Sequence, residues 1–369
     1  MDDSIHAHLA RHLSMMGLPL TDGLVDILKE NFSAEEANIA LLLPATDIPL
    51  YPVTPEEMAR KTGLNPDDVA QTLETLADRK LIFTGLTKGK EKGYALHQAG
   101  FGFPQSFFWD GKNTPFALKM TKLVMKYFNR KVTTEAFGGK NTKAYRYIPV
   151  HQSLKPEVQA VLPHDRMDTV LDNANRFAVA HCPCRVQAGL MDRACEHPLE
   201  VCLKFDDMAA YLIEQGLGRE ITREEAGKIV KGAAEAGLVH FVDNAAGKIK
   251  HNCNCCGCSC WNVGMIRRRK IPRDELMAVY FVRETDPDLC VGCGACLDIC
   301  PVTAITLEGG LAKVDENWCI GCGVCALKCD FDALTIVYRK DRQQQVPPDF
   351  ETLHTTIRKE RGTDFLLKA

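Results

Sequence analysis

The chain has 369 residues, with 45 basic and 48 acidic side chains, a formal charge of −3, 46% hydrophobic and 25% charged residues. That length suits two or three domains, and that composition can build ordinary hydrophobic cores. A net charge this small excludes polyanion binding driven by bulk electrostatics, and no run approaches the 18 apolar residues of a membrane span. Met1-Asp2-Asp3-Ser4 carries no basic stretch ahead of an apolar core, so no secretory leader is expected. Seventeen cysteines, all after residue 181, then speak for metal ligation in a reducing cytoplasm rather than disulfides.

Residues 1–33 are predicted helical, with Leu9, Leu13, Leu24, Ile27 and Leu28 at helix-compatible spacing. Ser33 predicts the cap of a helix over 34–43. Thr54-Pro55-Glu56-Glu57 opens a second helix, with proline in the first turn and acids near the positive dipole end, and Gly63 ends it. Asn65-Pro66-Asp67-Asp68 starts a third, with Val69, Leu73 and Leu76 on one face. A strand at 81–84, a polar tip at 87–93 and a returning strand at 94–96 follow.

That order resembles a winged helix. The resemblance raises DNA binding, but a reading helix should offer Arg, Lys, Asn or Gln at its N-terminus. This one offers Asp67, Asp68 and Glu74, with Arg79 and Lys80 only at its far end, and acids there repel phosphate. A packing or docking module is expected instead. Residues 99–128 are rich in aromatics, among them Phe101, Phe103, Phe107, Phe108, Trp109, Phe116, Tyr127 and Phe128; core or partner packing is the expected role.

Further on, a helix near 167–175 and a strand at 177–180 lead into His181-Cys182-Pro183-Cys184-Arg185, with Cys195 and Cys202 following. Helices over 207–215 and 222–236 separate these from Cys253, Cys255, Cys256, Cys258 and Cys260. Nine thiols in two clumps predict one site assembled from two loops, because thiolates this crowded repel unless a metal neutralises them. Arg185 is a candidate to offset cluster charge and donate to sulfur. So are Arg267 and Arg268 of the basic run 267–270, for which a solvated surface is an equal alternative. One or two [4Fe-4S] clusters are the preferred cargo, with zinc the alternative. His181, His197 and His251 flank the cysteines and are expected to support them rather than ligate.

The last pattern carries the most information. Cys290, Cys293, Cys296 and Cys300, then Cys319, Cys322, Cys325 and Cys329, each form a C-x2-C-x2-C-x3-C run. A cubane needs four thiolates at tetrahedral corners, three from one tight loop, and Gly292, Gly294, Gly321 and Gly323 let each loop curl toward the sulfurs. Two matched runs of four favour iron–sulfur over zinc.

Residues 284–338 resemble the bacterial two-cluster ferredoxin. The resemblance implies one [4Fe-4S] cluster on Cys290, Cys293, Cys296 and Cys329 and another on Cys319, Cys322, Cys325 and Cys300. Pro301 stands where that family has proline, whereas Asp330 replaces its second proline. Short strands are implied at 304–306 and 334–336. Residues 165–340 as a whole resemble a loosely described group of anaerobe 4Fe-4S dicluster proteins, in which C-x-C-R and N-C-N-C-C-G-C-x-C segments precede the twin motif. That implies electron transfer in anaerobic metabolism.

The expected architecture is α+β and multidomain. A winged-helix-like helical region spans 1–150, a nine-cysteine α+β segment 151–283, a two-cluster ferredoxin domain 284–340, and a charged tail with a helix at 349–360 spans 341–369. The expected function is passage of single electrons through several [4Fe-4S] clusters to or from a protein partner. An enzyme with a substrate-binding cluster at the 182–260 site and a redox-sensing regulator are the alternatives. No nicotinamide, flavin or ATP fingerprint appears, and no catalytic residue or small-molecule substrate is identified.

Overall fold

The computed structural model describes residues 4–14, 20–44, 50–97, 102–137, 142–150, 153–155, 160–341 and 345–362. The N-terminal part is helical: α1 (Ile5–Ser14), α2 (Asp22–Asn31), α3 (Ala34–Leu41), α4 (Pro55–Thr62) and α5 (Pro66–Asp78). Its starts are those the capping residues predict. Ser33 and Glu36, and Thr54 and Glu57, form reciprocal capping boxes, and Asn65 accepts from the Asp67 amide. β1 (Ile82–Leu86) and β2 (Lys92–Leu96) pair antiparallel, and Val53 bridges to Tyr94 as a third short rung. α6 (Pro115–Tyr127) and α7 (Arg130–Phe137) follow. Leu9, Leu24, Ile27, Leu28, Leu73 and Val124 are completely buried in one core. The aromatic stretch supplies Phe103, Phe107, Phe108 and Tyr127 to that core, Phe116 is 48% exposed, and Phe101 lies outside the described residues.

The middle of the chain is built on a six-stranded sheet. Its elements are β3 (Tyr145–Ile148), α8 (Met167–Asp172), β4 (Phe177–His181), α9 (Pro183–Leu190), β5 (Glu200–Phe205), α10 (Asp206–Glu214), β6 (Arg219–Ile221), α11 (Arg223–Glu235), β7 (Val239–Asp243) and β8 (His251–Cys255). Strand order is β3-β7-β8-β5-β4-β6, antiparallel throughout. β3 falls within the region expected to end at residue 150, yet it pairs with β7. Tyr145 and Tyr147 turn to one face of the sheet and Ile148 to the other.

The same alternation sorts the whole sheet. Phe177, Val179, Leu203, Phe205 and Val242 face a core with α8 and α11, while Ala178, Ala180, Cys202 and Phe241 face a second core. Two short helices follow, α12 (Val263–Arg267) and α13 (Arg273–Leu276).

The C-terminal module contains β9 (Phe281–Thr285), α14 (Ala295–Asp298), β10 (Ile305–Glu308), β11 (Leu311–Val314) and β12 (Leu334–Tyr338), with β9 paired to β12 and β10 to β11. Finally α15 (Phe350–Arg361), capped by Asp349 accepting from the Thr352 amide at 2.7 Å, covers the α8–α11 face of the sheet. The expectation of a charged tail is therefore corrected. Leu353 and Ile357, one turn apart, are buried in that core, and the charged residues point outward.

The N-terminal hairpin docks on α10. Phe83 meets the Tyr211 ring at 5.0 Å, His97 Nε2 lies 2.9 Å from the Tyr211 hydroxyl, and Lys80 donates to Gln215 at 2.9 Å. Among the described residues no helix is long and apolar enough to cross a membrane.

Candidate metal centres

The two cysteine runs of the C-terminal module wrap two separate cavities. Cys290, Cys293, Cys296 and Cys329 line one, together with Val291, Phe331 and Ala312. Cys300, Cys319, Cys322 and Cys325 line the other, with Pro301, Ile320 and Arg283. In each, three thiols come from one loop and the fourth from the opposite run. The loops turn at Gly292, Gly294, Gly321 and Gly323, whose φ values of 63° to 84° are left-handed. At Gly321 a Cβ would stand 2.3 Å from the Phe281 carbonyl oxygen, so no larger residue fits the close approach of loop to strand.

The two cavities differ in exposure. Cys293 is exposed and Cys290 and Cys329 half-buried, whereas Cys300, Cys319, Cys322 and Cys325 are all buried. Amides of Ala312 and Gly292 donate to Cys290 and draw its thiol below the usual range. Burial instead pushes Cys319 and Cys322 up. Metal charge offsets that cost when the thiolates bind. Arg283 on β9 is 1% exposed and acts electrostatically on Cys290, Cys296 and Cys325, so one buried guanidinium serves both cavities. Its Nε and Nη1 have no protein partner.

The nine upstream cysteines divide into two groups. Six of them, Cys182, Cys184, Cys202, Cys253, Cys255 and Cys260, line a single chamber. Strand alternation delivers Cys202 from β5 and Cys253 and Cys255 from β8 to one face, beside Tyr145 and Phe241. Cys182 and Cys184 stand at the start of α9, where free amides and the dipole favour negative charge. Cys260 sits just before α12 and receives the amides of Val263 and Asn262.

The six sulfurs run in a contact chain from Cys202 through Cys253, Cys255, Cys260 and Cys184 to Cys182. Hydrogen bonds along it pull Cys253, Cys260 and Cys182 down while Cys202, Cys255 and Cys184, their donors, are pushed up. Alternate thiols are thus set to ionise inside a buried chamber, an arrangement that calls for cations.

The other three, Cys195, Cys256 and Cys258, converge separately with their sulfurs within 4.8 Å of one another. The Ser259 hydroxyl donates to Cys195 and its amide to Cys256, each at 3.4 Å. Between the groups lies Arg185, 2% exposed, whose Nη1 donates to the Asn254 carbonyl. Burial opposes its charge, but Cys182 and Cys256 outweigh that and hold it protonated. Arg267 and Arg268 are exposed and do not share this position: α12 turns Val263 and Ile266 inward, which sends the two arginines to the surface.

Of the flanking histidines, His251 lines the chamber and sits 3.1 Å from Asp243. His181 Nδ1 faces the Trp109 carbonyl at 3.2 Å, and the His197 amide donates to Cys195. Lys204 on β5, 5% exposed, stands over the Trp109 ring at 5.0 Å. Sequence reading missed Lys204, Tyr145, Tyr147, Asp243 and Arg283; a period-two pattern through 200–205 and 251–255 is the signal that exposes the first face.

Chamber and module share one core, which contains Cys202, Cys255 and Cys260 as well as Cys300, Cys319 and Cys322. Tyr147, 2% exposed, feels Cys260 and Cys255 on one side and Cys322 on the other. The Val150 amide donates to the Cys322 carbonyl at 3.0 Å. At Gly257 a Cβ would stand 2.0 Å from the Pro301 carbonyl oxygen, so the upstream loop touches the residue next to Cys300.

Residues 284–306 and 312–335 match the 4Fe-4S binding domain family. A protein of Methanosarcina thermophila described as "Probable ferredoxin" is 53% identical over 36 residues, which are 10% of this chain and 62% of that relative. The chain therefore spans less than two-thirds of the relative's length. No solved structure matches the chain. With the paired motifs, the module holds two [4Fe-4S] clusters, and the protein is an iron–sulfur protein of the electron-transfer class.

Proposed function

We propose that this chain is a multi-cluster electron conduit serving a partner oxidoreductase or another carrier in the cytoplasm of an anaerobe. In this reading Cys290, Cys293, Cys296 and Cys329 ligate an outer cluster that exchanges electrons with the partner. Cys300, Cys319, Cys322 and Cys325 ligate an inner one, and the upstream cysteines hold further iron–sulfur. The observation that carries it is the continuous core through Tyr147 and the Gly257–Pro301 contact, which brings the inner cavity against the six-thiol chamber. The protein sets spacing and tunes potential through burial, amide donors and Arg283.

The N-terminal helices and hairpin act as a winged-helix-like docking module rather than a DNA reader. Asp67 and Asp68 occupy the exposed start of α5, Lys92 is paired with Glu74 at 2.8 Å, and the hairpin spends one side on α10.

Potentiometric EPR on protein purified without oxygen tests the reading. At least three centres titrating as one-electron couples, with magnetic coupling between neighbours, are expected. Two titrating centres with zinc upstream would confine electron transfer to the module. The size and lining of the chamber favour a second reading, a centre that binds a small molecule.

A further inference from the structure

The chamber and the two module cavities provide an internal standard. Each four-cysteine cavity measures about 330 Å³ and serves one cubane, whereas the six-cysteine chamber measures about 910 Å³. Its contact chain has a midpoint at Cys255–Cys260, which leaves Cys182, Cys184 and Cys260 on one side and Cys202, Cys253 and Cys255 on the other.

The remaining three cysteines are set apart. Cys195, Cys256 and Cys258 bring their sulfurs closer together than either module set does, since among the described residues only theirs meet within 4.8 Å. Corner thiolates of a cubane are held apart by the cube itself. Sulfurs this close instead suit a single tetrahedral ion, whose ligand sulfurs stand about 3.8 Å apart at a metal–sulfur length of about 2.3 Å.

Valence counting then limits the chamber. Every iron of a cubane carries three sulfides and needs one outside ligand, so two cubanes need eight. The chamber supplies six thiolates, three to each side. From this we infer that it holds two linked cubanes with two iron coordination positions that cysteine does not fill, a site for an exchangeable small ligand. The inference rests on the reading that the upstream cysteines bind iron–sulfur, and it makes the chamber the terminus of the electron path.

The chamber's other walls suit that role. Phe128 and Trp261, stacked at 5.2 Å, line it with Tyr145 and Phe241, and so exclude bulk water. Trp109 also lines it and has a buried indole N–H without a protein partner. Lys204 and His251 bring positive charge or protons to the same wall. Such a pocket admits a small neutral or anionic ligand of low-valent iron and has no room for a peptide.

The test uses full-length protein loaded with iron and sulfide under anaerobic conditions. About 16 iron atoms per chain are expected, and the same count in Cys195→Ser/Cys258→Ser, whose replaced side chains lie at or near the surface. A loss of about 4 iron atoms in that variant would show that the separate three serve a cubane, and would overturn the six-plus-three division. About 12 iron atoms in the unaltered protein would overturn the linked pair while leaving the conduit reading intact; about 8 would sink the upstream iron–sulfur reading as well.

Cyanide added to dithionite-reduced protein then probes the open positions. It is expected to change the EPR signals that are missing from Cys184→Ser/Cys253→Ser and to leave that variant's module signals unchanged. Chamber signals indifferent to cyanide would overturn the open positions.

Discussion

In the module, three of the four cysteines around each cavity come from a single loop, Cys290 to Cys296 or Cys319 to Cys325. In the chamber, six cysteines come from two strands of a sheet, the start of α9 and the turn before α12. Local loops fold around a cluster with little outside help. The chamber instead exists only while β5 and β8 stay in register, with Lys204 opposite His251, because a one-residue slip sends Cys202 or Cys253 to the opposite face. Even so, the two regions share a core, so electronic contact between them follows from packing rather than from a flexible tether.

That contrast can be broken at the module. Cys322→Ser should remove about 4 iron atoms and the signal of the inner cluster while the upstream iron remains. Iron analysis with EPR checks it, and chamber iron lost in parallel would show that the two regions load as one unit.

Leu353→Ala sharpens the other side. This fully buried α15 residue supports the sheet face opposite the chamber, and truncation should cost about 2–5 kcal/mol in urea denaturation. The chamber should lose its metal at lower urea than the module does. Simultaneous loss would contradict sheet-dependent assembly.

Arg283→Met addresses tuning. A buried positive charge favours the reduced cluster, so removing it should lower module potentials by on the order of 100 mV, measured by potentiometric EPR. Chamber signals should move far less.

The smallest effect concerns the join between the N-terminal part and α10. Burial holds His97 down to about 3 against an ordinary 6.5. The unfolded chain therefore takes up a proton below pH 6.5 that the folded chain refuses. Stability from this residue is complete above pH 6.5 and is lost as pH falls toward 3, at about 1.4 kcal/mol per pH unit. Between pH 6.5 and 5, His97→Gln should lose about 2 kcal/mol less than the unaltered protein in denaturant titrations. Equal losses would locate the acid sensitivity elsewhere.

Much of this molecule was legible before folding because its chemistry is local. Ser33, Thr54 and Asn65 cap helices that begin where those residues predict, since a cap acts within three residues. Asp349 does the same for α15. The twin cysteine runs announce their clusters because three ligands and the turning glycines lie in seven consecutive positions. Tertiary structure decided what depends on distant partners. It divided the nine upstream thiols into six and three, because strand register and the start of α9 decide which sulfurs meet. It drew β3 into the middle sheet and α15 onto its back, because apolar faces bury wherever a complementary face exists. And it put Tyr147 between chamber and module, a role no spacing rule encodes, since Cys260 and Cys322 approach that ring only when two regions share one core.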